Sequence, residues 1–209
     1  MERPQTPAHQ KYIMVLDTET TGLPEKGPGF GKLYAPWDTM KYKGARLVQL
    51  AYSIYTTDGV LVREVNVYIK PSDFAIPADS TRIHGITNEF AKENGKSILM
   101  VLRDLEKDIL NAYMVIGHNI SFDRAILESE AWRNGMNEFA MMMQQIPWAC
   151  TMRAGIAACG TDKWPRLGEL YRVLCGGEFG CKEGAHNAME DVRATARCWL
   201  ALRERGLML

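Results

Sequence analysis

Lys11-Tyr-Ile-Met-Val-Leu16, followed at once by Asp17-Thr-Glu19-Thr-Thr-Gly22, is the stretch from which the fold is read. A short apolar run that ends in acids has the character of a central, buried β-strand. Along a strand, residues i and i+2 share a face, so the carboxylates of Asp17 and Glu19 project together at its end. Two like charges aimed at one point repel unless a cation lies between them, and hard divalent ions prefer oxygen ligands. Taken alone, the pair fits a solvated turn with two incidental acids equally well.

Outward from this strand, Arg46–Thr57 and Val60–Lys70 are β-rich runs joined at Asp58-Gly59, a hairpin signal. The pattern then changes. Asn88–Asn94 and Ser97–Ala112 are expected helices, the second with Leu99, Leu102, Leu105, Ile109 and Leu110 on one side. Tyr113–Ile116 is a further apolar strand, and a helix follows over Ser121–Asn134 until Gly135 ends it. An extended segment is expected near Pro147–Thr151, then short helices at 152–158 and 167–174. The last helix covers Ala188–Arg205 and stops at Gly206. A meander followed by alternating strands and helices predicts an α/β fold: a mixed sheet with helices on both faces.

Residues 24–44 interrupt this order. They carry Pro24, Pro28 and Pro36 with Gly27, Gly29, Gly31 and Gly44, and show no periodicity, as expected of a long loop or insertion. Extended to Arg46, the segment has five basic and two acidic residues, a net charge of +3, with Tyr34, Trp37 and Tyr42 among them. Such a composition suits base stacking and phosphate contact, and equally a disordered insert with solvated charges. Residues 1–10 hold two prolines and no pattern, so they are expected to form a flexible leader to a single domain over 11–209.

Composition narrows the function. Lys plus Arg and Asp plus Glu are both 25, giving zero formal charge, whereas a protein that grips long nucleic acid by counterion release alone is basic. Any nucleic-acid role is therefore local to a site. No apolar run approaches the roughly 20 residues of a membrane span, and the N-terminus has no signal core. The five cysteines form no C-x-x-C pair, consistent with free thiols in a reducing cytoplasm.

Further acids join the first pair. Asp123 lies in Gly117-His-Asn-Ile-Ser-Phe-Asp123, where a strand meets a helix. Alone, it also fits complementation of the helix dipole. His186 and Asp191 lie in His186-Asn-Ala-Met-Glu-Asp191 at the start of the last helix, and Asp191 also has Arg193 and Arg197 as local partners. Together, four carboxylates and a histidine fall at strand ends and helix starts, where α/β folds place active sites. Four acids can hold two Mg²⁺ (or Mn²⁺) about 3.5–4 Å apart for phosphodiester hydrolysis. A histidine with a pKa of about 6.5 is suited to take the proton of the attacking water.

The combination resembles the DEDDh 3′→5′ exonucleases of ribonuclease H-like fold, most closely the proofreading (epsilon) type of bacterial DNA polymerase III. Asp17-Thr-Glu-Thr-Thr-Gly-Leu23, Ile83-His-Gly-Ile-Thr87, His118-Asn-Ile-Ser-Phe-Asp123 and His186-x4-Asp191 carry the resemblance, in order, over Lys11 to about Leu202. Asn187 stands where the Tyr subtype carries its tyrosine, so His186 assigns the His subtype.

The resemblance implies a mixed five-stranded sheet, with Asp17, Glu19, Asp123 and Asp191 as ligands of two Mg²⁺ or Mn²⁺ and His186 as general base. It implies that Thr18 and Thr20 hold the terminal nucleotide and its 3′-hydroxyl, and that Leu23 wedges apart the last two bases. His84 would belong to the pocket wall around the terminal base, although a capping role also fits it. Asn119 and Phe122 would position their loop or touch substrate. The implied activity is release of nucleoside 5′-monophosphates from single-stranded or frayed 3′ ends, DNA favoured over RNA, beside replication or repair proteins. An exoribonuclease of the ribonuclease T or oligoribonuclease type is the alternative, and a noncatalytic 3′-end-binding module a further one. The segment 24–44 is longer than its counterpart in the proofreading subunit. The chain also stops soon after the last helix, which leads to the expectation of a nuclease without a polymerase-binding tail.

Overall fold

A computed structural model describes residues 12–29, 31–177 and 187–209. The proposed leader 1–10, Lys11, Cys181 and His186 lie outside the described residues. The strands are β1 (Tyr12–Thr20), β2 (Leu47–Thr56), β3 (Leu61–Tyr68), β4 (Ala112–Gly117) and β5 (Trp148–Cys150). They form one sheet in the order β3-β2-β1-β4-β5, with β1–β2 and β2–β3 antiparallel and β1–β4 and β4–β5 parallel. The helices are α1 (Ala78–His84), α2 (Asn88–Asn94), α3 (Ile98–Ile109), α4 (Ser121–Arg133), α5 (Asn137–Met143), α6 (Thr151–Cys159), α7 (Leu167–Cys175) and α8 (Ala188–Glu204). The mixed five-stranded sheet expected from the sequence is present.

Because β1 is the central strand, both of its faces are covered and its run is continuously apolar. Met14 and Leu16 pack with Leu102 and Leu105 of α3, Ile126 of α4 and Phe139 of α5. Ile13 and Val15 pack on the opposite face with Val192, Ala196 and Trp199 of α8. Trp199 is fully buried, meets Tyr55 edge-on at 5.5 Å and donates from Nε1 to the Leu209 carbonyl at 2.7 Å. Alternation therefore sends Asp17 and Glu19 toward the α8 side and Thr18 toward the α4 side.

The strand is longer than its apolar run. Asp17, Thr18 and Glu19 remain paired with Ala51, Leu50 and Gln49 of β2, whereas pairing with β4 stops at Val15–Ile116. β1 thus outruns its parallel neighbour, and its acidic end borders an open flank. Two helices escaped the sequence reading. The seven-residue α1 and α5 each span about two turns, no shorter than the expected α2, so length alone does not account for them. Local punctuation does mark α1: Pro77 before it, Asp79 in its first turn, Arg82 and His84 in its last, and left-handed Gly85 (φ 76°) after it. In α3 the buried stripe is Val101, Leu102, Leu105 and Ile109, while Leu99 and Leu110 are exposed. The helix ends at Ile109 because Asn111 already accepts a bond from the Tyr12 amide and Ala112 enters the sheet.

The insertion is ordered. Glu25 N donates to Lys41 O at 2.8 Å, Gly27 N to Lys32 O at 3.0 Å, and the buried Tyr42 hydroxyl to Tyr34 O at 2.6 Å. A short 3-10 helix over Thr39–Tyr42 is tied to α4 through Arg133 Nη2 on Thr39 O at 2.7 Å. At its end, Arg46 is sunk between α4 and the loop before α1. Its Nε donates to Glu130 Oε1 and its Nη1 to Asp73 Oδ2, both at 2.7 Å, and Glu130 Oε1 also accepts the Leu47 amide at 3.1 Å. The side chains of Arg46 and Glu130 are 6% and 3% exposed, whereas that of Asp73 is 58% exposed. Removing one partner of a buried pair costs about 3–5 kcal/mol, whereas an exposed pair contributes less than about 1. Glu130→Gln is expected to destabilise the fold by about 3 kcal/mol or more in urea denaturation, and Asp73→Asn by under about 1 kcal/mol. Equal costs would overturn this ranking.

Candidate active site

Beyond the end of its pairing with β4, β1 contributes Asp17 and Glu19 to the open flank, and Asp191 in the first turn of α8 meets them. One ligand oxygen from each of these three residues lies within 4.8 Å of the others. α8 is delivered there by its cap and its apolar side. Asn187 Oδ1 accepts the amides of Met189 and Glu190, and Ala188, Met189 and Val192 are buried against β1.

Asp123 arrives from the other face, in the first turn of α4. Its Oδ1 accepts the Thr18 amide at 3.0 Å and the Thr18 hydroxyl at 2.7 Å. The expected convergence of four carboxylates is therefore three in direct proximity and one alongside, locked to the strand between Asp17 and Glu19. All four line a single cavity of about 440 Å³. Among its described lining residues there is no Lys or Arg. Burial, with repulsion from Asp123, Asp191 and Glu19, holds the Asp17 carboxyl well above the usual carboxylate range. Burial pushes Asp123 up to about 7, against the opposing pull of its hydrogen bonds from Thr18.

This donor set fits a hard divalent cation. Only oxygens are offered, their spacing is within reach of one ion, and the uncompensated charge that raises the Asp17 pKa is what a cation would relieve.

The remaining predicted residues form the cavity walls. Thr20, Leu23, His84, Asn119 and Phe122 all line it, with Gly22, Ser80, Ile83 and His118. The Thr20 hydroxyl donates to Gly22 O at 2.7 Å, Ser80 Oγ to Thr21 O at 2.6 Å, and Thr21 Oγ1 to Gly44 O at 3.0 Å. This bracing holds Leu23 at the mouth with 77% of its surface exposed. Gly22, at φ 152°, lies where a Cβ would meet Gly44 O at 3.0 Å, so the turn has little room for a side chain. His84 is buried, with Nδ1 accepting the Ile86 amide at 3.1 Å, which combines the capping and wall roles expected of it. Asn119 takes a left-handed φ of 62°, which Asn tolerates better than most residues.

Ser80 and Ile83 were missed because α1 was missed. His118 was visible in the motif without a role, and the structure gives it one. Nε2 is 3.0 Å from Pro165 O, which can only accept, and Nδ1 is 3.0 Å from Thr151 Oγ1. Burial lowers the pKa of the ring. With both nitrogens engaged, His118 braces the end of β4 against α6 and the loop before α7.

The chain has relatives among known proteins. The chain is 30% identical over 118 residues to DNA polymerase III subunit epsilon of Buchnera aphidicola, covering 56% of this chain and 44% of that protein. It is 29% identical over 207 residues to a DNA polymerase III subunit epsilon-like protein of Rhodobacter capsulatus, 97% of this chain and 26% of that one. The chain thus spans less than half the length of these relatives. Among solved structures, E. coli exonuclease I in complex with a dA16 oligonucleotide matches with a TM-score of 0.69 at 19% identity, over 93% of this chain and 41% of that one. Exonuclease I from Methylocaldum szegediense matches with the same TM-score at 21% identity, over 93% and 41%. At these identities the likeness establishes the fold. A family model described as RNase T, exonuclease, matches residues 14–198, nearly the entire sheet and every candidate site residue, and the chain belongs to that exonuclease family.

Proposed function

We propose that the chain is a divalent-metal-dependent 3′→5′ exonuclease that removes nucleoside 5′-monophosphates from single-stranded or frayed 3′ ends of DNA. The observation that carries this reading is the convergence of Asp17, Glu19 and Asp191 in a cavity whose described lining has no cationic side chain. Support for DNA comes from the relatives: epsilon subunits of a DNA polymerase, and exonuclease I solved with dA16 and dT13 strands. We read residues 11–209 as one exonuclease domain, with a cytoplasmic location and replication or repair proteins as its company. Among the described residues, no helix is long and apolar enough to cross a membrane.

Asp17, Glu19 and Asp191, with Asp123 beside them, are the residues that would hold two Mg²⁺ or Mn²⁺. Such ions polarise a phosphoryl oxygen and make water a nucleophile near neutral pH. The chain's own groups supply the rest. The exposed Leu23 enters between the last two bases and holds the terminal one apart. Ser80, Ile83 and His84 wall the space on the far side, and the braced Thr20–Leu23 turn fixes the position of the 3′ end. The Thr18 and Thr20 hydroxyl hydrogens are committed to Asp123 and Gly22, so these side chains meet substrate as acceptors. His186, by its motif, is the group that accepts the proton of the attacking water.

The direct test is a time course on 5′-labelled single strands, DNA and RNA in parallel, with Mg²⁺ or EDTA. Stepwise loss of mononucleotides from the 3′ end is expected with Mg²⁺ only, faster on DNA, and Asp17→Ala should reduce it by about a thousandfold or more. Full activity in Asp17→Ala would sink the metal assignment, and a faster rate on RNA would move the enzyme to the ribonucleases.

A second prediction concerns stability without metal. Asp17 and Asp123 have folded pKa values above their unfolded ones, so the folded state binds their protons more tightly. Stability of the metal-free protein should therefore fall as pH rises from about 4, the unfolded carboxyl value, through about 7, the Asp123 value. Asp17→Asn is expected to raise the metal-free Tm at pH 8 by at least about 2–4 °C, the shift that 1 kcal/mol produces in a chain of this size. Added Mg²⁺ should raise the Tm of the unsubstituted chain and have little effect on the variant. A lower Tm in Asp17→Asn would contradict the charge frustration inferred here.

A further inference from the structure

The insertion creates a second cavity beside the catalytic one. It is a groove of about 330 Å³ between residues 31–36 and the outer side of α4, closed at one end by α6. That volume is at the small end of ligand sites, room for about one nucleotide unit. Leu33, Tyr34 and Pro36 form one wall, Ser121 and Arg124 another, and Arg153 reaches in from the first turn of α6.

The groove and the active-site cavity share no lining residue, but two chain connections link their walls. Ser121 lines the groove while the next two residues, Phe122 and Asp123, line the active site. Arg153 follows by two residues Thr151, whose hydroxyl is 3.0 Å from His118, a wall of the active site. The insertion itself begins directly after Leu23, at the mouth.

The charge balance favours an anion. Arg124 Nε is 2.6 Å from Glu128 Oε1, and Glu128 is 4% exposed, so this pair neutralises itself. The Arg124 guanidinium also lies 5.7 Å from the centre of the Trp148 ring, which fixes its plane. Arg153 is exposed and, among the described residues, has no carboxylate within ion-pair distance. The groove thus offers one uncommitted guanidinium beside an aromatic and a proline, the combination that holds phosphate and base in single-strand binding. We propose that it holds the nucleotide upstream of the one being removed, Arg153 on its phosphate and the Tyr34–Pro36 wall against its base. This inference rests on the exonuclease reading and adds an upstream subsite that the insertion supplies.

The test separates the two readings. The Mg²⁺-loaded protein is assayed on the p-nitrophenyl ester of thymidine 5′-monophosphate, which occupies the terminal pocket only, and on a strand of about 12 thymidylates, long enough to fill a site of this kind. Arg153→Glu should raise KM for the strand about tenfold, the effect of losing one good contact, and leave hydrolysis of the ester unchanged. In anisotropy measurements on an Asp17→Ala background, Arg153→Ala should lower the slope of log affinity against log salt by about 0.7, the value for one phosphate contact on a single strand. Arg153→Lys, which keeps the charge, should retain that slope. Unchanged strand affinity and salt slope in both the Glu and Ala variants would overturn the groove, whatever the catalytic result. Failure of the unsubstituted protein to hydrolyse either substrate would overturn the exonuclease reading, with the anisotropy series still deciding the groove.

Discussion

Three carboxylates whose oxygens lie within 4.8 Å, with a fourth locked to the strand beside them, concentrate more negative charge than the cavity compensates. The same molecule shows how it treats a buried carboxylate when no outside ion is needed. Glu130, more deeply enclosed than Asp17, is given the Arg46 guanidinium and the Leu47 amide. Asp17 receives no such partner among the described residues, and its carboxyl is left with a raised affinity for protons. A cavity arranged this way pays for its ion-binding geometry with folding energy, and the cation must come from solvent. The central strand, fixed between two neighbours and covered on both faces, is what can hold like charges in place against their repulsion.

Strand parity distributes the work. Residues 13, 15, 17 and 19 face α8, so the side that buries Val15 against Trp199 also aims Asp17 and Glu19 at Asp191. Residues 14, 16 and 18 face α4, so Leu16 packs in that core and Thr18 meets Asp123. A slip of one residue in β1 would exchange the two sets, put the acids in the α3–α4 core and dissolve the site. Apolar packing on both faces therefore serves as the register device for the chemistry. The early end of the β1–β4 ladder then opens the flank from which a phosphodiester can approach.

What was legible in the sequence follows the same division. The strand with its i, i+2 acids, the hairpin at Asp58-Gly59 and the start of α8 at Ala188 are local patterns, and each lies in the structure where local physics put it. The Ile83-His84 motif was legible as a motif, but the helix presenting it was not read, although Pro77 and the left-handed Gly85 mark its ends. The order of the insertion was hidden for a different reason. It depends on the Tyr42 hydroxyl reaching Tyr34 O and on Arg133 of α4 reaching Thr39, contacts with no local signature. Likewise, four acids at element ends suggested one converging cluster. Only the coordinates show Asp123 on the far face, speaking to the site through Thr18. His186, the base implied by the motif, lies outside the described residues, so its place rests on the sequence alone.

An acidic cavity for a polyanionic substrate poses an electrostatic problem that the zero net charge of the chain does not solve. Phosphate would be repelled by four carboxylates until the cations that they gather reverse the sign of the site. On the proposed function, the acids would act as a gate, accepting an end in the metal-loaded form and discouraging idle binding in the metal-free one. Grip on the strand has to come from elsewhere, and the described surface offers it in two forms. On the proposed function, Leu23 and Ile83 would give apolar contact with bases without adding charge. Arg153 and the insertion, whose residues 25–44 hold four lysines against Glu25 and Asp38, would give local positive potential one element away from the acids. Separating cation-mediated chemistry from side-chain-mediated grip lets a neutral protein handle a charged polymer at one end, without the broad basic face that would hold it anywhere along the strand.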